Sequence, residues 1–199
     1  MTARDLVSEE QHLFDVIRSP RFLAMEGLGN EVPFFIYPFD PTDALEVQKV
    51  EQRLINKLAL EGITVFTVNL YDLSIDVLKE RGIWDRVIEI EPEQDKNDFR
   101  ELLQGLLDPG DQLKDAFASQ IAEQDFGVLF LTGVGEVFPY IRSHNVLNNL
   151  QSVLKDKPML LFFPGDYRQS ETLGSSLELF GRLHDDQYYR AKNILEQEA

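Results

Sequence analysis

Two short runs, Val128-Leu129-Phe130-Leu131 and Met159-Leu160-Leu161-Phe162-Phe163, are apolar without any polar alternation. A strand of that kind has to be covered on both faces, which calls for a parallel sheet between two helical layers. Each run ends in a turn rich in glycine and polar residues, Thr132-Gly133-Val134-Gly135 and Pro164-Gly165-Asp166. In an open α/β sheet the carboxyl ends of the strands are where ligands and partners dock. Phe34-Phe35-Ile36-Tyr37 and Ile63-Thr64-Val65-Phe66-Thr67-Val68 supply two further strands. The expected fold is therefore α/β: a three-layer αβα domain with a mostly parallel central sheet, Rossmann-like or P-loop-like without a Walker A loop. A chain of 199 residues buries one good core, so residues 1–199 are expected to form a single domain.

Helical stripes fill the intervals. Leu6, Val7, Leu13, Phe14 and Ile17 mark a helix over 5–18, stopped by Pro20. Val47, Val50, Leu54 and Leu58 mark a second, with Asp43 and Glu46 at capping-box spacing and Gly62 as its stop. Asn69 and Asp72 repeat that spacing ahead of Leu73 and Val77. From about 85 to 125 the chain makes an acidic helical excursion, in which Asp108-Pro109-Gly110-Asp111 reads as a helix start. Pro139 delays the next helix to near Ser143, with Val146, Leu147 and Leu150 inward. By composition, 165–176 is expected to be a flexible polar loop and 177–180 a short edge strand. Asp186 to Gln197 reads as a final helix with Tyr188, Ala191 and Leu195 inward.

Composition excludes several classes of function. Nineteen bases against thirty-five acids leave a net charge of −16. That field repels phosphate backbones and anionic membranes, and no basic run exceeds two residues, so the chain alone is not expected to bind nucleic acid. No apolar run is long enough to span a bilayer and the N-terminus lacks an apolar signal region, so a cytoplasmic protein is expected. The absence of cysteine removes disulfides, thiolate nucleophiles and cysteine-ligated metals.

The strand tips do not complete a known catalytic motif. A Walker A loop needs Gly-Lys-Ser/Thr entering a helix, but Glu136 and Val137 follow Gly135, and a carboxylate there repels phosphate. A dinucleotide fingerprint needs a third glycine where Phe138 stands. Arg142 and His144 sit where a helix N-terminus could hold an anion, and His144 could move a proton. Asp40, Asp72 and Asp166 each follow a strand and could gather around Mg²⁺, or act as capping and loop aspartates. Tyr188 and Tyr189 cannot share one helical face, which leaves one of them for a partner. The candidate surface comprises Thr132, Gly133, Gly135, Arg142, His144, Asp166, Tyr167, Arg182 and Tyr189. No cofactor is called for. The competing expectation is a Mg-dependent nucleotide-binding protein, or a phosphoryl-transfer or hydrolytic enzyme, built on Asp166, Arg142 and His144.

Taken together, several stretches resemble a known family. They are Gly27-Leu28-Gly29-Asn30-Glu31-Val32-Pro33-Phe34, Asn69-Leu70-Tyr71-Asp72-Leu73 and the run Leu131 to His144. Leu147-Asn148-Asn149-Leu150, Phe162-Phe163-Pro164-Gly165-Asp166-Tyr167 and the run Leu179 to Arg190 continue the series. In order and spacing over 20–195 they resemble the BrxB-type proteins of bacterial BREX (bacteriophage exclusion) systems. The resemblance implies membership of a multi-protein phage-restriction system whose larger members are an ATPase, a methyltransferase and a phosphatase-like protein. It brings no catalytic residue to any position here. A small acidic member without a catalytic set fits a non-catalytic structural or adaptor component that binds those partner proteins.

Overall fold

Alternate residues along each central strand enter different cores. Phe34, Ile36, Leu129, Leu131, Met159, Leu161 and Phe163 face one, whereas Phe35, Tyr37, Val128, Phe130, Leu160 and Phe162 face the other. A sheet buried on both faces needs no polar side, which is why these strands read as unbroken apolar runs. The structure is a computed structural model and describes residues 5–26, 33–108, 110, 112–170, 174–185 and 191–199.

Among these residues β1 (Phe34–Phe39), β2 (Val65–Asn69), β3 (Val128–Thr132), β4 (Met159–Ser170) and β7 (Ala191–Asn193) pair in parallel in the order β2-β3-β4-β1-β7. Phe34 lies opposite Met159 on one side and Ala191 on the other. The first core is closed by α4 (Leu70–Glu80), α5 (Trp84–Ile90), α6 (Lys96–Leu106), α7 (Gln112–Ala122) and α8 (Ser143–Leu150). The second is closed by α1 (Leu6–Ile17), the short α2 (Pro20–Leu23) and α3 (Ala44–Leu60). This is the expected three-layer αβα arrangement, with the expected parallel strands.

The helix starts differ in chemistry. Asn69 caps α4 as its spacing foretold, its Oδ1 accepting from the amides of Tyr71 and Asp72. Asp43 precedes α3 without making a side-chain cap, and Glu46 instead meets Lys49 at 2.7 Å. The capping carboxylate there is Asp40, which accepts from the Thr42 amide and hydroxyl and tightens a 3₁₀ turn, Pro41–Asp43, ahead of the helix. Pro109 and Asp111 of the expected start to α7 lie outside the described residues.

Two expectations are corrected. The expected loop 165–176 is strand wherever it is described: β4 continues through Ser170 and pairs antiparallel with β5 (Gly174–Leu179), which pairs with β6 (Leu183–Asp185), while residues 171–173 lie outside the described residues. Buried Tyr167 between exposed Asp166 and Arg168 is the two-residue period of a half-buried strand, which composition concealed. The final helix is also absent over the part of 186–197 that is described. Ala191–Asn193 adds β7 to the open edge of β1, and Ile194–Glu196 follows as a 3₁₀ turn. Backbone pairing with that edge outweighs a weak helical pattern. Residues 186–190 lie outside the described residues.

A buried carboxylate joins two helices on the second face. Glu10 of α1, 8% exposed at its side chain, accepts from Arg53 and Lys57 of α3 at 2.7 and 2.6 Å. Burial alone would raise its carboxyl, but the hydrogen bonds from Lys57 and Arg53, with their charges, outweigh burial and hold it below the ordinary value. Because the folded value is depressed, the contribution is complete above the unfolded value and is lost as pH falls through the folded one. Glu10→Gln is expected to cost about 1 kcal/mol near neutrality, since both cations are half exposed, and almost nothing at low pH. Urea denaturation of both proteins across the acid range measures that convergence.

Candidate interaction site at the strand ends

The connection from β1 passes along one face of the sheet through α3, whereas those from β2 and β3 pass along the other. Such a divergence opens a crevice at the carboxyl ends of the strands. A cleft of about 290 Å³ lies there, between Phe39 at the end of β1 and Pro41 beyond it, Thr132 at the end of β3 and Gly133 to Glu136 beyond it, and Phe162 and Pro164 of β4. Val47, Gln48 and Glu51 of α3 form one wall, and Phe180 covers another.

Two glycines allow its walls to meet. A Cβ on Gly133, which has φ +77°, would collide with the Asn69 side chain that caps α4. On Gly135 it would come within 2.9 Å of Pro164 and 3.0 Å of the Phe180 ring. Phe180 itself takes φ +57°, a conformation costly for a bulky residue, and is 37% exposed. Its ring contacts that of Phe138 edge-on, with centroids 6.5 Å apart. This pair divides the first cleft from a second of about 220 Å³, lined by Phe138, Arg142, Ser143, Phe163, Leu177, Leu179, Arg182 and Leu183.

The expected site residues thus separate. Thr132, Gly133 and Gly135 line the first cleft, and Arg142 and Arg182 line the second. His144 is buried within α8, and Tyr167 is buried with its hydroxyl donating to the Ala191 carbonyl at 2.6 Å, so neither offers open contact area. Asp166 is exposed on the β4 extension, opposite Glu178 in the ladder. Tyr189 lies outside the described residues. The described lining of the second cleft includes Arg142 but neither Asp166 nor His144, the companions of an acid–base site. Among the described residues no three His, Asp or Glu side chains gather as a metal site.

The first cleft has the wrong electrostatics for phosphate. Glu51 and Glu136 are its charged lining residues, and no Lys or Arg is among the described ones. At the β1–α3 turn, where a phosphate-binding loop would present free amides, Asp40 already occupies the Thr42 amide. Burial pushes the Glu51 carboxyl up to about 6. With the folded value raised, the unfolded chain ionises first, so stability falls as pH climbs from the unfolded value toward the folded one. Glu51→Gln is therefore expected to be about 1 kcal/mol more stable than the parent above that window and equal to it below, after allowance for solvent screening. Urea denaturation on either side of the window checks both halves. In the sequence Glu51 borders the Val47–Val50–Leu54 stripe, where an acid reads as an ordinary helix flank.

Comparison with known proteins agrees with the resemblance. The family model for "BREX protein BrxB" matches residues 66–194. The chain is 33% identical to the "BREX protein BrxB" of Bacillus cereus (strain H3081.97), across 91% of this chain and 93% of that one. It is 31% identical to the "BREX protein BrxB" of Escherichia coli O9:H4 (strain HS), across 90% of this chain and 86% of that one. No solved structure matches the chain.

Proposed function

We propose, since this chain belongs to the BrxB family of BREX proteins, that it is a non-catalytic structural or adaptor component of an anti-phage defence complex. It contacts partner proteins through the strand-end surface and the 180–190 segment. The ATPase, methyltransferase and phosphatase-like components are the partners it would hold. The supporting observation is the character of the crevice. At the edge where an α/β enzyme binds its phosphates, this chain presents aromatic rings and two carboxylates.

Reconstitution tests the reading. The pure chain should turn over no ATP, while its addition should change the mass of a mixture of the neighbouring system proteins. Charge reversal at Arg142, or Tyr189→Ala, should weaken co-purification without unfolding the chain. Turnover by the isolated chain, or a wild-type chain that associates with none of its neighbours, would overturn the adaptor role. At a net charge of −16 the isolated protein should also leave duplex DNA unshifted at roughly physiological salt. A salt-sensitive submicromolar shift would contradict that expectation.

A further inference from the structure

The second cleft carries chemistry opposite to that of the rest of the molecule. Arg142 and Arg182, both exposed, line it together on a chain of net charge −16. Neither makes an ion pair with another described residue. Arg142 is also the N-cap of α8, an eight-residue helix, and makes no side-chain cap. Arginine has no acceptor to offer the first helical amides, and its charge opposes the positive end of the helix dipole. The arrangement becomes favourable when an anion lies against both the guanidinium and the helix start.

Ser143 points to the same conclusion independently. It is 8% exposed, lines the cleft, and its hydroxyl makes no hydrogen bond to another described residue. A buried hydroxyl without a partner is costly unless something arrives to bond it. The remaining walls, Phe138, Phe163, Leu177, Leu179 and Leu183, are apolar, with Leu183 39% exposed.

We infer that this groove binds an acidic segment of a partner protein, its carboxylate held by Arg142, Arg182 and Ser143 and a neighbouring apolar side chain resting on Phe138 and Leu183. A guanidinium matches a carboxylate with two parallel hydrogen bonds. A polyanion is disfavoured because the surrounding acidic surface repels its remaining phosphates, whereas one carboxylate beside an apolar residue meets only the groove. The inference rests on the adaptor reading for the source of the segment, but the binding chemistry belongs to this chain alone.

Titration of the ¹⁵N-labelled full chain tests it, using a blocked Leu-Glu-Phe peptide, its Leu-Gln-Phe counterpart, acetate and inorganic phosphate. Leu-Glu-Phe should shift the amides of Ser143 to Asn145 saturably, with a Kd at least about tenfold below those of the other three. The R142Q/R182Q variant should weaken that binding about tenfold or more, and Ser143→Ala, which leaves the charge unchanged, about threefold. Equal binding of the glutamine peptide, tighter binding of phosphate, or no saturable shift by the acidic peptide would each overturn the inference. So would unchanged binding in Ser143→Ala together with a folded R142Q/R182Q. If R142Q/R182Q does not fold, the peptide comparison and Ser143→Ala decide. Failure here with partner association intact removes the groove's role and leaves the adaptor standing; a wild-type chain that binds the peptide but associates with no neighbour does the reverse.

Discussion

Gly165→Ala is expected to destabilise the protein by about 3 kcal/mol or more and to disorder the ribbon beyond the sheet. A Cβ there would lie well inside contact distance of the Glu178 carbonyl oxygen and 3.0 Å from the Phe163 ring. Neither neighbour can give way easily. Glu178 belongs to the β5 ladder, in which Gly165 itself lies opposite Leu179, and the Phe163 side chain is fully buried. Leu177, Leu179, Arg182 and Leu183 all depend on that ladder for their places along the second cleft. Partner association should therefore fall with stability. Gly181→Ala is the control: φ is +62° but nothing stands within 4 Å of the added atom, so about 1 kcal/mol is expected. Urea denaturation separates the two, and a Gly165→Ala protein within 1 kcal/mol of wild type would refute the steric argument.

Phe130→Ala should cost about 3–5 kcal/mol. Phe130 is wholly buried in β3, and its ring meets that of Phe162 at 5.2 Å in the core beneath α1 and α3. Both rings sit on neighbouring parallel strands, so a cavity there cannot collapse without moving the sheet. Phe130→Leu, which keeps most of the volume, should cost about 1.5 kcal/mol or less. Equal losses in the two variants would show that the site relaxes freely and that ring packing contributes little.

The groove was only half legible in the sequence. Arg142 stands out because it precedes a helix, whereas Arg182 is one member of the candidate surface with no local signal tying it to Arg142. Their common cleft exists because the β5–β6 turn brings residues 180–183 back against the loop after β3. That return depends on the β4–β5 ladder, in which polarity makes 165–176 read as a loop and only 177–180 as a strand, although the alternation around Tyr167 marks a strand there too. The chemistry of Tyr167 and His144 suits a surface, yet each lies on the inward side of its element. Glu51 is the opposite case: its helix position is ordinary, and only its burial in the tertiary structure raises its carboxyl.

By itself the sequence determined the parallel strands, the helices between them and the absence of a phosphate-binding motif. Continuous apolar runs, the Asn69 cap and missing glycines and lysines are local signals, written within a few residues of where they act. Only the tertiary structure decided the strand order β2-β3-β4-β1-β7, the capture of Ala191–Asn193 by the edge of β1 and the meeting of Arg142 with Arg182. These are choices among pairings of similar local cost, and they are settled by which distant surfaces can be buried together.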